Sequence, residues 1–336
     1  MLLKTACLLL AILLLIAPPA QAQFGGGFGA TAEEAAATET AAELSVVQRW
    51  KMGFSIRAVN ANCGGIFATF PVPTDWPEQS VQIVESLSDV SPQVTKIDFR
   101  VLGNGVKQVL VSIPVLRSGE EAHAYMTFDV TKRNVVAPKD VSVLTIPRRL
   151  PREFRPYLGK SPYIESTNPR IKNLAKTVVA GKDGAWDKAE AIYDWVRDNI
   201  EYKEGKLKGA LAALKDGNGD CEELTSLFVA MCRANRIPAR TVWIEGHCYP
   251  EFYLQDDQGD GQWYPCQAAG TRNFGGMFDK RLIMQKGDTF KVPEMKKVQR
   301  YVAEFLSAKS VRGSGGPQVT WVRKLALDEK PAAGFP

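Results

Sequence analysis

The sequence predicts an α+β protein, with a β-rich N-terminal part, a helical middle and a return to strands. Three observations carry that expectation. Between about residue 50 and residue 147 apolar and polar residues alternate, as in Ile97, Phe99 and Val101 against Lys96, Asp98 and Arg100; this is the period of a strand. Near Arg152 the period changes, and Ile171, Leu174, Ala175 and Val178 recur at the i, i+3, i+4, i+7 spacing of a helix face. After Pro238 the strand pattern returns in Arg240-Thr241-Val242-Trp243-Ile244.

The first segment is of another kind. One early lysine, Lys4, precedes an apolar run at residues 6–17, Pro18-Pro19 breaks it, and Ala20-Gln21-Ala22 is a small-x-small cleavage site. This reads as a secretory signal peptide over residues 1–22, so the chain is expected to be exported, periplasmic or extracellular. The run is short for a bilayer span, and no stable membrane insertion is expected. Residues 23–45 form a low-complexity leader rich in Gly, Ala, Thr and Glu.

Over residues 46–150 the strands come in order. Gly103-Asn104-Gly105 is a turn, after which 106–113 return as a strand. Ala122, Ala124, Met126, Phe128 and Val130 then alternate with His123, Tyr125, Thr127 and Asp129. Short strands with turns between them predict a small antiparallel sandwich. His123 falls on the polar face of its strand and reads as a surface residue.

Composition narrows the function. A hydrophobic fraction of 45% and a charged fraction of 24% are those of a globular chain. The net charge of +5 is modest, and Arg148, Arg149, Arg152, Arg155 and Lys291, Lys296, Lys297, Arg300 read as solvated surface. No basic stripe is interleaved with aromatics, so no nucleic-acid partner is expected. Of six cysteines, removing Cys7 leaves Cys63, Cys221, Cys232, Cys248 and Cys266. Five is an odd number, so at least one thiol stays free or pairs between molecules. No spacing resembles a zinc site, and neither metal nor cofactor is expected.

Past residue 150 the helices follow. Asn168-Pro169 is a helix start with Pro at the first helical position. A second helix begins near Ala185, with Ala189, Ile192, Tyr193, Val196 and Ile200 on one stripe, and a short helical piece lies around 207–214. The third long helix opens at Gly219-Asp220-Cys221-Glu222-Glu223-Leu224. Asp220 is a good N-cap, and Glu223 completes a capping-box pattern. Cys221 is then the first helical residue, with Leu224, Leu227, Phe228 and Met231 as the buried stripe. Helix-start N–H groups and the positive end of the dipole favour its thiolate, while Glu222 and Glu223 oppose it. The helix is expected to stop near Asn235, before Ile237-Pro238.

His247 follows 26 residues after Cys221, and the chain has only two histidines. Strand 239–245 leads into Gly246-His247-Cys248-Tyr249-Pro250-Glu251-Phe252-Tyr253-Leu254, a polar turn carrying Asp256 and Asp257, and Gln262-Trp263-Tyr264-Pro265-Cys266-Gln267. The series Gly-Asp-Cys at a helix start, Ile-Pro-Ala-Arg, Gly-His-x-x-x-Glu-x-Tyr-Leu and Trp-Tyr-Pro resembles the transglutaminase-like superfamily of papain-type thiol enzymes. The resemblance covers about residues 185–269. It implies a papain-like core, with the nucleophile helix packed on an antiparallel sheet, and a Cys-His-Asp triad in which Cys221 is the nucleophile and His247 the base. Where the family carries an Asp, this chain has Gln267, and Tyr249 stands where Trp is common. An amide can orient an imidazole through its carbonyl oxygen but stabilises imidazolium less than a carboxylate does.

If His247 faces Gln267 across a hairpin, Cys248 faces Cys266, either as a cross-strand disulfide or as two buried thiols that support the site. The thiol-enzyme domain is expected over 151–310, with a helix at 293–306 inside it, and residues 311–336 as a loosely ordered tail. The implied reaction is acyl transfer at a peptide or protein carboxamide through a Cys221 thioester, ended by an amine or by water. The other reading is a non-catalytic binding or scaffold module on the same fold, with Gln267 as its support.

Overall fold

The computed structural model describes residues 45–310 and 316–326. The signal peptide expected at 1–22, and all but the last residue of the 23–45 leader, lie outside them. The described residues combine helices with antiparallel sheets, an α+β arrangement.

Strands β1 (Ser45–Arg57), β2 (Cys63–Val72), β3 (Gln79–Ile83), β4 (Asp89–Val90), β5 (Lys96–Val101), β6 (Lys107–Leu116) and β7 (Glu121–Arg133) come first. They are divided between two sheets packed face to face. Period-two alternation turns Trp50, Met52, Phe54 and Ile56 of β1 inward, with Ala122, Ala124, Met126 and Phe128 of β7 beside them. Ile66, Ala68 and Phe70 of β2 and Val109, Val111 and Ile113 of β6 meet them from the other sheet, where Phe54 and Phe70 touch edge to face at 6.3 Å. Gly53 is required: at φ +151° a Cβ would sit 1.9 Å from the Ala124 carbonyl oxygen.

β5 is an edge strand, and of its apolar stripe only Ile97 packs on the core; Phe99 is exposed under the Lys107 ammonium, which sits 4.6 Å from the ring. One expectation fails here for a physical reason. The C-terminal segment is not a loose tail throughout. β14 (Phe305–Ser310) pairs with β2, and β15 (Gln318–Leu325) pairs with β1 along its length. Both return to the N-terminal sandwich, where Leu306, Val319 and Trp321 join its core.

Helices α1 (Pro169–Val178), α2 (Ala185–Asn199), α3 (Ala210–Asp216) and α4 (Cys221–Ala234) occupy the middle of the chain. Asn168 caps α1, accepting the Arg170 N–H at 2.9 Å, with Pro169 at the first position. A two-stranded parallel pair, β8 (Glu201–Tyr202) and β9 (Asn218–Gly219), lies just before α4. None of the helices among the described residues is long and apolar enough to cross a membrane.

Helix α4 is central. Leu224, Leu227, Phe228, Val229, Ala230 and Met231 are all buried, with Thr225 and Ser226 between them, so the helix is enclosed on every side. It lies on a third sheet, in the order β12 (Gly261–Pro265), β11 (His247–Gln255), β10 (Ala239–Ile244), β13 (Ile283–Lys286). Each large apolar side chain buried here is worth about 1.5–3 kcal/mol. The Arg233 guanidinium anchors the C-terminal end of α4, donating to both Asp288 carboxylate oxygens at 2.7 and 3.0 Å and to the Ala239 carbonyl.

The two halves share their interior. Leu282 and Met284 enter the sandwich core, while Ile283 packs with Val242, Ile244 and Tyr249. The Gln79 side chain mimics a strand against β13, accepting the Ile283 N–H at 2.8 Å and donating to its carbonyl at 2.9 Å. Buried Lys286 pairs with Glu78 at 2.6 Å and Glu251 at 3.0 Å. Glu251 also pairs with Arg240, directly opposite across β10 and β11.

The helix expected at 293–306 does not form. Phe290 and Gln299 exchange both backbone hydrogen bonds, at 2.8 and 2.9 Å, folding the segment back on itself. Val302 is buried with Phe290 and Val292 and its N–H donates to the Gln285 side chain at 2.8 Å. Tertiary partners override a weak local helical preference.

Candidate active site

Cys221 is placed by its immediate neighbours in sequence. The Asp220 side chain accepts the Glu222 N–H at 2.8 Å, and the Glu223 carboxylate accepts the Asp220 N–H at 3.2 Å, closing the capping box. Glu223 is itself buried and also accepts from the Lys208 and Gly209 N–H groups, at 2.9 and 3.2 Å. Gly219 leaves it room, since a Cβ there would come within 2.4 Å of the Glu223 Cβ. Glu222 turns away to an ion pair with Arg300. The two carboxylates expected to oppose the thiolate are thus both engaged elsewhere.

His247 opens β11 directly after Gly246, which holds a left-handed φ of +64° in the turn from β10. Its Nε2–H donates to the Gln267 Oε1 at 2.9 Å. That leaves Nδ1 for Cys221, whose thiol is in hydrogen-bonding contact with the imidazole. The structure therefore brings Cys221, His247 and Gln267 together.

Gln267 does not face His247 across a strand ladder. The β11–β12 register pairs Glu251 with Pro265, and the Cys266 N–H donates to the Pro250 carbonyl at 2.9 Å. The pairing is displaced by two residues from a His247–Gln267 match, and β12 ends before Gln267. Helix α2 fixes Gln267 instead: its carbonyl accepts from the Tyr193 hydroxyl and Arg197 Nη1, each at 2.9 Å. Its N–H donates to Asn273 at 2.8 Å.

The expected facing of Cys248 and Cys266 is corrected by the same register. Cys266 lies against the Pro250 carbonyl at 3.7 Å, and Cys248 lies against Thr225 of α4 at 3.8 Å. Cys63, Cys221, Cys232, Cys248 and Cys266 are all free thiols.

The site's electrostatics separate its thiols. Cys221 is pulled down to about 4, first by a hydrogen bond from the Cys248 thiol, against the opposing effect of burial, and then by His247. Cys248, Cys232 and Cys266 are pushed well up, chiefly by burial. On His247 burial is the largest influence and acts downward, but the bonds to Cys221 and Gln267 outweigh it and leave the imidazole raised. Both shifts favour the thiolate–imidazolium form, the reactive form of such a pair.

The site opens to a cleft of about 480 Å³ lined by Tyr202, Gly246, His247, Gln267, Ala269 and Arg281. The Arg281 guanidinium is held by Asp279 and donates to the Glu245 carbonyl at 3.2 Å; its charge acts downward on His247. The exposed Tyr202 phenol is raised by burial and by the Cys221 charge. Neither residue stood out in the sequence, where nothing local marks a side chain brought in by a distant turn. Among the described residues no cluster of His, Cys, Asp and Glu could hold a metal ion. His123 belongs to the sandwich, paired with Asp89 at 3.0 Å and stacked on Tyr125.

Residues 172–268 match the family model of the transglutaminase-like superfamily. Among solved structures, a candidate cysteine protease from Cytophaga hutchinsonii is 18% identical, with a TM-score of 0.54 over 87% of this chain and 96% of that one. A candidate protease from Parabacteroides distasonis is 13% identical, with a TM-score of 0.29 over 66% of this chain and 47% of that one. The periplasmic domain of TgpA from Pseudomonas aeruginosa, bound to ethylmercury, is 13% identical, with a TM-score of 0.33 over 69% and 93%. The first supports a shared fold, and the other two are too distant in structure to add to it. No curated protein matches the sequence.

Proposed function

We infer that this chain, transglutaminase-like over residues 172–268, is an exported thiol enzyme acting on peptide or protein carboxamides, with Cys221, His247 and Gln267 as its catalytic group. The observation that carries the reading is the Cys221–His247–Gln267 contact series, of which His247 and Gln267 line an open cleft.

The Cys221 thiolate attacks the carboxamide carbon, forming the S–C bond and moving the carbonyl π pair onto oxygen. The Cys221 N–H, at the first helical position with no intrahelical acceptor, and the Tyr202 hydroxyl at the cleft wall are the donors for that oxyanion. Collapse breaks the C–N bond, and the His247 imidazolium gives its Nδ1 proton to the departing amine. A Cys221 thioester and neutral His247 remain. An incoming amine or water then loses a proton to His247 as it attacks the thioester, and the thiolate leaves. Gln267 acts on the imidazole, fixing the ring so that Nδ1 stays turned to the sulfur.

The test is incubation with a glutamine-containing peptide and a fluorescent primary amine, with products resolved by mass. Amine-labelled peptide indicates transfer, and the free carboxylate indicates hydrolysis. Both should vanish in Cys221→Ala. Absence of either product, together with Cys221 alkylating no faster than Cys63, would overturn the reading.

A further inference from the structure

The third sheet has a second face. Ala239, Phe252 and Leu254 turn to the core around α4, whereas Val242, Ile244 and Tyr249 turn the other way and pack with Trp76 and Val135. Strand alternation puts Arg240 and its partner Glu251 on that second face. A cavity of about 370 Å³ lies there, between the sheet and the N-terminal sandwich. Glu78, Arg133, Val135, Arg240, Trp263 and Lys286 are among the residues that line it, and it shares none of its lining with the cleft beside His247.

Its polar lining is buried yet only partly paired. Arg240 is 8% exposed and Lys286 2%. A guanidinium has five N–H groups. In Arg240 the Nε–H donates to Glu251, and Nη1 reaches the Tyr157 hydroxyl at 3.5 Å. Nη2 has no acceptor among the described residues. The guanidinium lies 4.0 Å from the centre of the Trp263 ring, which fixes its plane. The Lys286 ammonium has three N–H groups and two acceptors, Glu78 at 2.6 Å and Glu251 at 3.0 Å. Buried charged donors left without acceptors are costly, and a cavity beside them is where an acceptor can enter. The charges also fail to cancel: Arg133, Arg240 and Lys286 stand against Glu78 and Glu251.

We propose that this cavity binds a small organic carboxylate with an apolar body: the carboxylate accepts from Arg240 Nη2 and the Lys286 ammonium, and the body lies against Trp263 and Val135. A carboxylate meets both requirements at once, supplying the missing acceptors and the missing negative charge. The volume is at the lower end for small-molecule sites, which suits a free acid rather than a stretch of protein. The place is also a usual one, between two packed units of a chain. The inference stands apart from the thiol-enzyme reading, because Cys221, His247 and Gln267 take no part in it.

The test is isothermal titration of the full chain with 3-phenylpropanoate and with 3-phenylpropanol, which share a body and differ in the charged head. The acid should bind at least about tenfold more tightly than the alcohol. Arg240→Lys keeps a positive charge opposite Glu251 but removes the planar fork, and should weaken the acid by about tenfold. Trp263→Leu should weaken acid and alcohol alike. Arg281→Gln, at the other cleft, should change neither. Thermal unfolding of each variant separates lost binding from lost fold; if Arg240→Lys does not fold, the acid–alcohol ratio in the parent and the Trp263→Leu and Arg281→Gln responses decide. Equal binding of acid and alcohol, no binding of the acid at millimolar concentration, full affinity in a folded Arg240→Lys, or a loss confined to Arg281→Gln overturns the proposal.

Discussion

Gln267 accepts the His247 Nε2–H at 2.9 Å through an amide whose own backbone is tied to helix α2 by Tyr193 and Arg197. A carboxylate in that position would both orient the ring and stabilise its charge; the amide orients it and stabilises the charge less. The two functions can therefore be separated by substitution. Gln267→Glu, of the same length, should raise the His247 pKa by about one unit and move the alkaline limb of the kcat/KM profile up with it. Gln267→Ala should lower kcat/KM by at least about tenfold at the optimum, because the ring loses its orienting partner. An Ala variant as active as the parent would remove Gln267 from the site.

The pH profile itself follows from the pair. Cys221 ionises at about 4 and His247 above its ordinary 6.5. The thiolate–imidazolium form grows as pH rises through the first and is lost as pH rises through the second, so kcat/KM should be bell-shaped. In His247→Ala the sulfur loses a donor and a positive neighbour, and its midpoint rises. Cys221 alkylation at pH 5 should fall by about tenfold for each unit of that rise.

Arg281 sits at the rim, and its charge pushes the His247 pKa downward. Arg281→Gln should therefore move the alkaline limb upward, by a few tenths of a unit on the order expected for a screened surface charge. Measuring the limb at low and high salt checks the cause. The shift should shrink as salt rises in the parent, where the charge is present, and a limb that moves downward contradicts the placement.

Glu251 answers two buried cations, Arg240 and Lys286. Burial acts upward on its pKa, but the two cations outweigh it and leave it lowered. Its folded value then lies below its unfolded one, so its contribution to stability is present above the unfolded pKa and disappears as pH falls through the folded one. Glu251→Gln leaves both cations short of a partner and should cost about 3–5 kcal/mol in urea unfolding at neutral pH. The cost should narrow in acid, where the parent loses the same charge.

Features set by near neighbours in the chain were legible in the sequence. The start of α4 is one, because a capping box is built from residues three apart and the Gly219-Asp220-Cys221-Glu222-Glu223 run contains all of it. The start of α1 at Asn168-Pro169 is another. The hairpin register was not legible: a displacement of two residues keeps every side chain on the same face, so alternation cannot detect it. The segment 293–306 offered a helix start and a few apolar residues, but Gln285 and the Phe290–Gln299 pairing claimed it for another structure. For β14 and β15 the signal was weak, because the strands that complete their ladders are β2 and β1, at the other end of the described chain.

The sequence by itself picked out the two side chains proposed to react, since only Cys221 stands at a capped helix start and only His247 lies on the strand pattern that follows. It also determined the α+β class, through the changes of period near residues 152 and 238. The tertiary structure decided the state and surroundings of that pair. It set Gln267 at the far side of the imidazole from a turn held by α2, and placed Tyr202 and Arg281 at the cleft wall. The reason is physical. A side chain's identity is carried locally, whereas its protonation depends on the solvent it loses and the donors it gains, and here those donors come from other elements of the fold.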